Sequence, residues 1–128
     1  MKRVLFVCVE NSCRSQMAEG WAKKLNDGSW EIRSAGSRPS GKINPDAVSV
    51  MGELGMDLSL QSSKGIPEPE EGAWDYVVTM GCGDACPNLP AKNRVDWKLE
   101  DPKGKPIEFF RQVRDDIGRR VRQLMEIS

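Results

Sequence analysis

The segment Cys8-Val9-Glu10-Asn11-Ser12-Cys13-Arg14-Ser15 concentrates the reactive groups of this chain. Five residues separate Cys8 from Arg14, so one loop can wrap a tetrahedral oxyanion. The backbone N–H groups of Val9, Glu10, Asn11, Ser12, Cys13 and Arg14 would point inward, and a helix starting here would add positive potential. The planar fork of Arg14 can clamp two oxygens. The same field favours the thiolate form of Cys8, which is the nucleophilic form. Ser15 can donate its hydroxyl hydrogen to that thiolate. Glu10 is the discordant group, since an inward carboxylate would oppose an anion; it is expected to face solvent. The plainer alternative is a buried structural cysteine at a strand end, followed by an ordinary Asn-Ser capping turn.

Two further cysteines, Cys82 and Cys86, lie in a Gly/Asp/Ala-containing segment, a composition suited to thiols that must move between partners. The 128 residues include no histidine, which excludes a Ser-His-Asp triad, a Cys-His dyad and any His-ligated metal. Nineteen basic residues balance nineteen acidic ones. That balance removes the usual electrostatic argument for a nucleic-acid or membrane-surface partner. No stretch approaches the ~18 apolar residues of a membrane helix. The expectation is a cytoplasmic protein, where thiols are more often catalytic or metal-binding than locked in disulfides.

The elements that position these groups follow from apolar patterning. Arg3 to Cys8 is a continuous apolar run, as expected of a central parallel strand buried on both faces. Arg14 to Asn26 places Met17, Trp21 and Leu25 four apart and reads as a helix. Trp30 to Ser34 alternates as a second strand. Pro45 to Leu54 is a helix with proline in its first turn and Gly55 closing it. Asp75 to Met80 and Arg94 to Trp97 are further strands. Ile107, Phe110, Val113, Ile117, Val121 and Leu124 mark one face of a long C-terminal helix. The expected architecture is a single α/β domain over residues 1–128, a parallel sheet flanked by helices on both faces. Functional groups then belong at the carboxyl ends of the strands, where Cys8 and Cys82 both fall.

The run VCVENSCRSQMAEGWA resembles the active-site loop of arsenate reductases built on the low-molecular-weight tyrosine phosphatase fold. Ser34-Ala35-Gly36, Thr79-Met80-Gly81-Cys82-Gly83, Cys86-Pro87 and Trp97-Lys98-Leu99-Glu100-Asp101-Pro102 extend the resemblance over nearly the whole chain. It implies a four-stranded parallel sheet. It also implies Cys8 as the nucleophile towards arsenate, Cys82 as the thiol that attacks the Cys8 adduct, and Cys86 as the thiol that then attacks Cys82. The resulting Cys82–Cys86 disulfide would be reduced by exchange with thioredoxin or a similar external thiol, glutaredoxin and mycothiol included. No bound cofactor is implied. Cys13 matches a family cysteine that is not the nucleophile, and is expected to pack beneath the loop.

Phosphate and arsenate share shape and charge, so the loop alone fits a phosphatase acting through a Cys8 phosphocysteine equally well. The Cys82/Cys86 pair favours the reductase, with weak phosphatase activity as a by-product. Asp101-Pro102 fits the general acid of either reaction. In the related tyrosine phosphatases tyrosines follow that Asp-Pro, whereas Lys103-Gly104 follows it here and the only tyrosine, Tyr76, falls inside a strand. Some thioredoxin-linked relatives bind potassium near the loop; the matching positions include Asn11, Glu19, Ser34 and Ser62. Lys64 stands where an aspartate would be expected, so its ammonium should replace the cation and leave no metal site. The competing class is a non-enzymatic zinc module on Cys8, Cys13, Cys82 and Cys86, whose spacings lie near those of structural zinc sites. The strand before Cys8 and the arginine-headed helix after it are not needed by such a module.

Overall fold

The computed structural model describes residues 1–68, 72–81 and 89–126. Its centre is β1 (Lys2–Cys8), in which Val4, Leu5, Phe6 and Val7 are wholly buried. A strand built from such a run can sit only between two partners and between two covered faces. It pairs in parallel with β2 (Trp30–Gly36) on one side and β3 (Trp74–Thr79) on the other. The outer strand β4 (Ala91–Asp96) pairs in parallel with β3, giving the order β2-β1-β3-β4. The chain leaves β1 for one flank and returns for β3 on the other. The switch point of the sheet therefore lies at the carboxyl end of β1, at Cys8.

Three helices, α1 (Arg14–Leu25), α2 (Pro45–Gly52) and α3 (Ile107–Glu126), complete the described architecture. All three contribute to one cluster with Val4, Phe6 and Cys8 of β1, through Met17 and Ala18 of α1, Val50 and Met51 of α2, and Phe110, Ile117 and Val121 of α3. The alternate residues Leu5 and Val7 face a smaller cluster with Ala35, Trp74, Val77 and Leu89, against which Val9, Ile66 and Ala91 pack. Among the described residues, the cover of this second face thus comes from strands and connecting segments rather than from α1–α3. Helices α1 and α3 approach closely because residue 118 is glycine: a Cβ there would lie 2.6 Å from two atoms of the Trp21 ring. The Trp21 indole N–H donates to the Arg114 carbonyl at 2.9 Å and fixes that crossing.

Element boundaries differ from the sequence reading where local polarity hides them. Strand β4 begins at Ala91 rather than Arg94, because Lys92 and Asn93 lie exposed on an edge strand and carry no apolar signature. Helix α2 ends at Gly52, and a turn follows in which the Met56 N–H returns to the Met51 carbonyl with Gly55 at φ +83°. A 3-10 turn at Leu58–Leu60 is capped by the Asp57 side chain, which accepts from the Ser59 N–H. No described helix is long and apolar enough to cross a membrane.

Glu53 joins α2 to α3 by accepting from Arg111 and Arg114. The Arg111 hydrogen bond leads, against some desolvation, in holding its carboxyl at about 2 rather than the ordinary 4.5. A depressed carboxyl stabilises the fold above its unfolded value and loses that contribution as pH falls through its folded value. Glu53→Gln should therefore lower urea stability at neutral pH, with the gap to the wild type closing as pH falls from 4.5 towards about 2. Gly118→Ala should cost about 1–3 kcal/mol in the same measurement, through overpacking against Trp21.

Candidate active site

The connection from β1 to α1 is the loop singled out in the sequence. Its carbonyls are engaged on the outside. Those of Cys8, Val9, Glu10 and Ser12 accept from the N–H groups of Ser37, Arg38, Ser40 and Asn44 at 2.8–3.3 Å. The Glu10 carbonyl also accepts from the Ser63 hydroxyl at 3.0 Å. With the carbonyls turned out, the loop amides face inward, as an oxyanion requires. Gly36 permits the close approach: a Cβ there would meet the Val9 carbonyl oxygen at 2.6 Å and the Asn11 nitrogen at 2.8 Å. Cys13 caps α1 with no side-chain hydrogen bond to its first turn, so no side chain of the cap competes for the amides at the helix start.

Asn11 holds the loop in shape. It is the only non-glycine residue at positive φ among those described, at +52°, a conformation that asparagine tolerates better than most residues. Its carboxamide is fully engaged. Nδ2 donates to the Ser15 hydroxyl at 2.7 Å and to the Ser34 hydroxyl at 3.0 Å. Oδ1 accepts from Gln16 Nε2 at 2.9 Å and from the Lys64 N–H at 2.8 Å. Because Asn11 donates to Ser15, the Ser15 hydroxyl hydrogen is free for the Cys8 sulfur, 2.9 Å away. The Cys8–Ser15 pair is thus oriented by Asn11, and Gln16 is a supporting residue that motif reading did not single out. It is wholly buried in α1 despite its polarity, a placement that no local pattern in the sequence marks.

The Arg14 side chain is buried at 6 % exposure. Nη1 donates to the Met80 carbonyl at 2.5 Å and to the Leu99 carbonyl at 3.1 Å. Nε is buried without a hydrogen-bond partner, and Nη2 lies 3.6 Å from Asp101 Oδ2. One corner of the guanidinium is therefore anchored on carbonyls, Nη2 is ion-paired with Asp101, and Nε is left for an incoming acceptor. Gly81 makes this possible. It has φ +78°, and a Cβ there would lie 2.7 Å from Arg14 Nη1 and 3.1 Å from the Leu99 oxygen. Its importance was not visible in the motif, where it only preceded Cys82.

Asp101 is brought to the site as expected, half-exposed, with Oδ1 accepting from the Lys103 N–H at 3.1 Å. The Glu10 carboxylate meets a partner rather than open solvent: Lys103 Nζ donates to its two oxygens at 2.9 and 3.1 Å. Cys13 is buried in the helix cluster at 3 % exposure. Burial, opposed by a Ser12 hydrogen bond and aided by the negative charges of Asp101 and Cys8, pushes its thiol up to about 12. Cys8 and Cys13 share the same buried cluster but different hydroxyl partners, Ser15 for Cys8 and Ser12 for Cys13. Cys82 and Cys86 lie outside the described residues. Tyr76 stands in β3 with its ring centroid 6.0 Å from that of Trp30.

A second polar cluster adjoins Asn11. Lys64 Nζ reaches the Ser62 carbonyl at 2.8 Å and both Glu19 Oε1 and the Ser34 hydroxyl at 3.3 Å. Burial pushes the Glu19 carboxyl up, yet hydrogen bonds from Lys23 and Ser34 and the Lys64 charge outweigh it and leave the group below its ordinary 4.5.

Gly81→Ala should displace the Arg14 guanidinium and weaken inorganic phosphate binding, measured by calorimetry, by on the order of tenfold to a hundredfold. Gly52→Ala, where an added Cβ meets nothing within 4 Å, should leave that affinity unchanged. Cys13 should stay unmodified when the native protein is treated with iodoacetamide at mildly alkaline pH. It should be alkylated once the protein is unfolded, as read by peptide mass spectrometry.

The geometry matches known proteins over its full extent. Residues 3–127 match the low molecular weight phosphotyrosine protein phosphatase family. An arsenate reductase of Brevibacillus brevis is 43 % identical, the alignment covering 98 % of this chain and 95 % of the relative. A glutaredoxin arsenate reductase of Synechocystis sp. is 42 % identical over 98 % of this chain and 97 % of its own. A solved structure described as an arsenate reductase in the phosphate binding state superposes with a TM-score of 0.86 at 42 % identity, covering both chains completely. With its four-stranded parallel sheet, its oxyanion loop and these full-length likenesses, the chain belongs to the low molecular weight phosphotyrosine protein phosphatase family and, within it, groups with the proteins named arsenate reductases.

Proposed function

We propose that this protein reduces arsenate to arsenite with its own thiols. The observation that carries the reading is the buried Nε of Arg14, left without a hydrogen-bond partner beside a loop whose Cys8, Val9, Glu10 and Ser12 carbonyls are held by the segment after β2 and whose Cys8 sulfur sits on Ser15. This is a built receptor for a tetrahedral oxyanion beside a nucleophile. Arsenate would enter with its oxygens on the loop amides and on Arg14. The Cys8 thiolate attacks arsenic, and Asp101 gives its proton to the departing oxygen, which leaves as water. The Cys82 thiolate then attacks the Cys8 sulfur. An S–S bond forms as the S–As bond breaks, its electron pair goes to arsenic, and arsenite departs. Cys86 attacks Cys82, freeing the Cys8 thiolate. The Cys82–Cys86 disulfide takes two electrons from an external thiol system of the thioredoxin, glutaredoxin or mycothiol type, supplied by one dithiol or by two monothiols through a mixed disulfide. A relay that must be recycled in this way suits a reducing, cytoplasmic setting.

The same loop supports phosphoester hydrolysis as a weaker second activity, favoured by the family to which the chain belongs. Against it as the main reaction stand Lys103-Gly104 after Asp101-Pro102 and the placement of Tyr76 against Trp30. The Glu19–Ser34–Ser62 cluster does not fit a potassium ion, because the Lys64 ammonium already touches the oxygens that would hold one. Lys64 serves there as a built-in cation that steadies Ser34, and through it Asn11.

Two measurements test this reading. Cys82→Ser should abolish arsenate turnover in the presence of a thioredoxin or low-molecular-weight thiol system while leaving weak aryl phosphate hydrolysis; surviving arsenate turnover contradicts the relay. Arsenate turnover should also be the same in sodium, choline and potassium salts at equal ionic strength, and a severalfold activation by potassium contradicts the role given to Lys64.

A further inference from the structure

The Glu10–Lys103 ion pair joins groups 93 positions apart in the chain. It ties the second residue of the oxyanion loop to the segment that carries Asp101. The tie closes a circuit of contacts between the oxyanion loop and the Asp101 segment. From Arg14 at one end of the loop, contact passes to Asp101 Oδ2 at 3.6 Å. From Asp101 Oδ1 it passes to the Lys103 N–H at 3.1 Å, and from Lys103 Nζ to the Glu10 carboxylate at 2.9 Å near the loop's other end. The turn that aims Lys103 is local and defined: the Lys105 N–H returns to the Pro102 carbonyl at 2.9 Å, and Gly104 has φ +82°. Glu10 and, more weakly, the Asp101 charge favour the charged form of the Lys103 ammonium.

An attack by Cys8 expels its leaving group on the far side of the central atom, towards the acid Asp101. From a free oxyanion the group that leaves is one oxygen, which this circuit of contacts lets pass. From an ester it is an alkoxide or phenoxide whose carbon body must pass the same circuit. We propose that the Glu10–Lys103 pair is a specificity clasp that holds the Asp101 segment across the mouth of the oxyanion loop, admitting free tetrahedral oxyanions and hindering phosphate esters. Lys103 acts here as a positioning residue, through Glu10 and Asp101. The inference rests on Cys8 being the nucleophile of this loop, but not on the Cys82/Cys86 relay.

The pair is solvent-exposed, with side-chain exposures of 57 % and 36 %, so its effect should be modest, about two- to fivefold. The test measures two quantities on the full chain: inorganic phosphate affinity by calorimetry, and kcat and KM for p-nitrophenyl phosphate hydrolysis. Lys103→Met and Glu10→Gln should each raise ester kcat/KM relative to phosphate affinity by about two- to fivefold, mainly through KM. Lys103→Arg should keep the wild-type ratio, and the double exchange Glu10→Lys with Lys103→Glu should restore it. Merely structural damage would lower ester turnover and phosphate affinity together. An unchanged or lowered ratio in the single variants, or no restoration by the exchange, overturns the clasp. A wild type that fails to reduce arsenate overturns the reduction reading instead and leaves the clasp standing, because neither measurement uses Cys82 or Cys86.

Discussion

An anion can be held by backbone amides only if the carbonyls of the same peptides find partners elsewhere, and this requirement shapes the rest of the molecule. The loop from Cys8 to Arg14 meets it by turning its carbonyls onto the N–H groups of the segment after β2, at Ser37, Arg38, Ser40 and Asn44. The reversal needs one left-handed residue, Asn11, and one missing side chain, Gly36. An unsatisfied buried carbonyl costs about 1–3 kcal/mol, so this external ladder is a condition of the loop's existing at all. The fold supplies it because β2 lies beside β1 in parallel register, with Cys8 opposite Gly36. The two chain segments thus leave the sheet side by side.

Arg14 makes the second connection. Anchored on the carbonyls of Met80 and Leu99, one guanidinium joins the oxyanion loop to the end of β3 and to the acid segment after β4. Those are the ends of the strands on the other side of the switch point. A buried arginine is tolerated because its charge meets carbonyl oxygens and the Asp101 carboxylate. Two elements that carry chemistry, the Cys8 loop and the Asp101 segment, are in this way referred to a single rigid group.

Much of this arrangement is legible in the residues themselves. The apolar run of β1, the Cys-x5-Arg-Ser spacing and the apolar face of α3 each depend on a local period or a local motif, and each survives into the fold. The Asn11 conformation, the external carbonyl ladder and the Arg14 anchors depend on residues 23 to 85 positions away, and no local pattern announces them. Gly36 and Gly81 look like ordinary turn glycines until the groups beside them are known. Glu10 reads as a solvent-facing charge because its partner, Lys103, belongs to another loop. The polar edge strand β4 is under-read for a related reason: exposed Lys92 and Asn93 give no alternation to find.

The absence of histidine is consistent with the site's geometry, in which Asn11 orients Ser15 and Ser15 meets the Cys8 sulfur without one. The two described cysteines share one buried cluster but differ in partner, Cys8 on the Ser15 hydroxyl and Cys13 with its thiol raised by burial, while Cys82 and Cys86 are assigned to the proposed relay. The most direct measurement is a single turnover without any external thiol. Fully reduced protein is mixed with excess arsenate, arsenite is quantified and the disulfide is mapped by peptide mass spectrometry. The account predicts stoichiometric arsenite together with a Cys82–Cys86 disulfide, with Cys8 and Cys13 left as thiols. No arsenite, or arsenite formed with a Cys8–Cys13 disulfide instead, would contradict it.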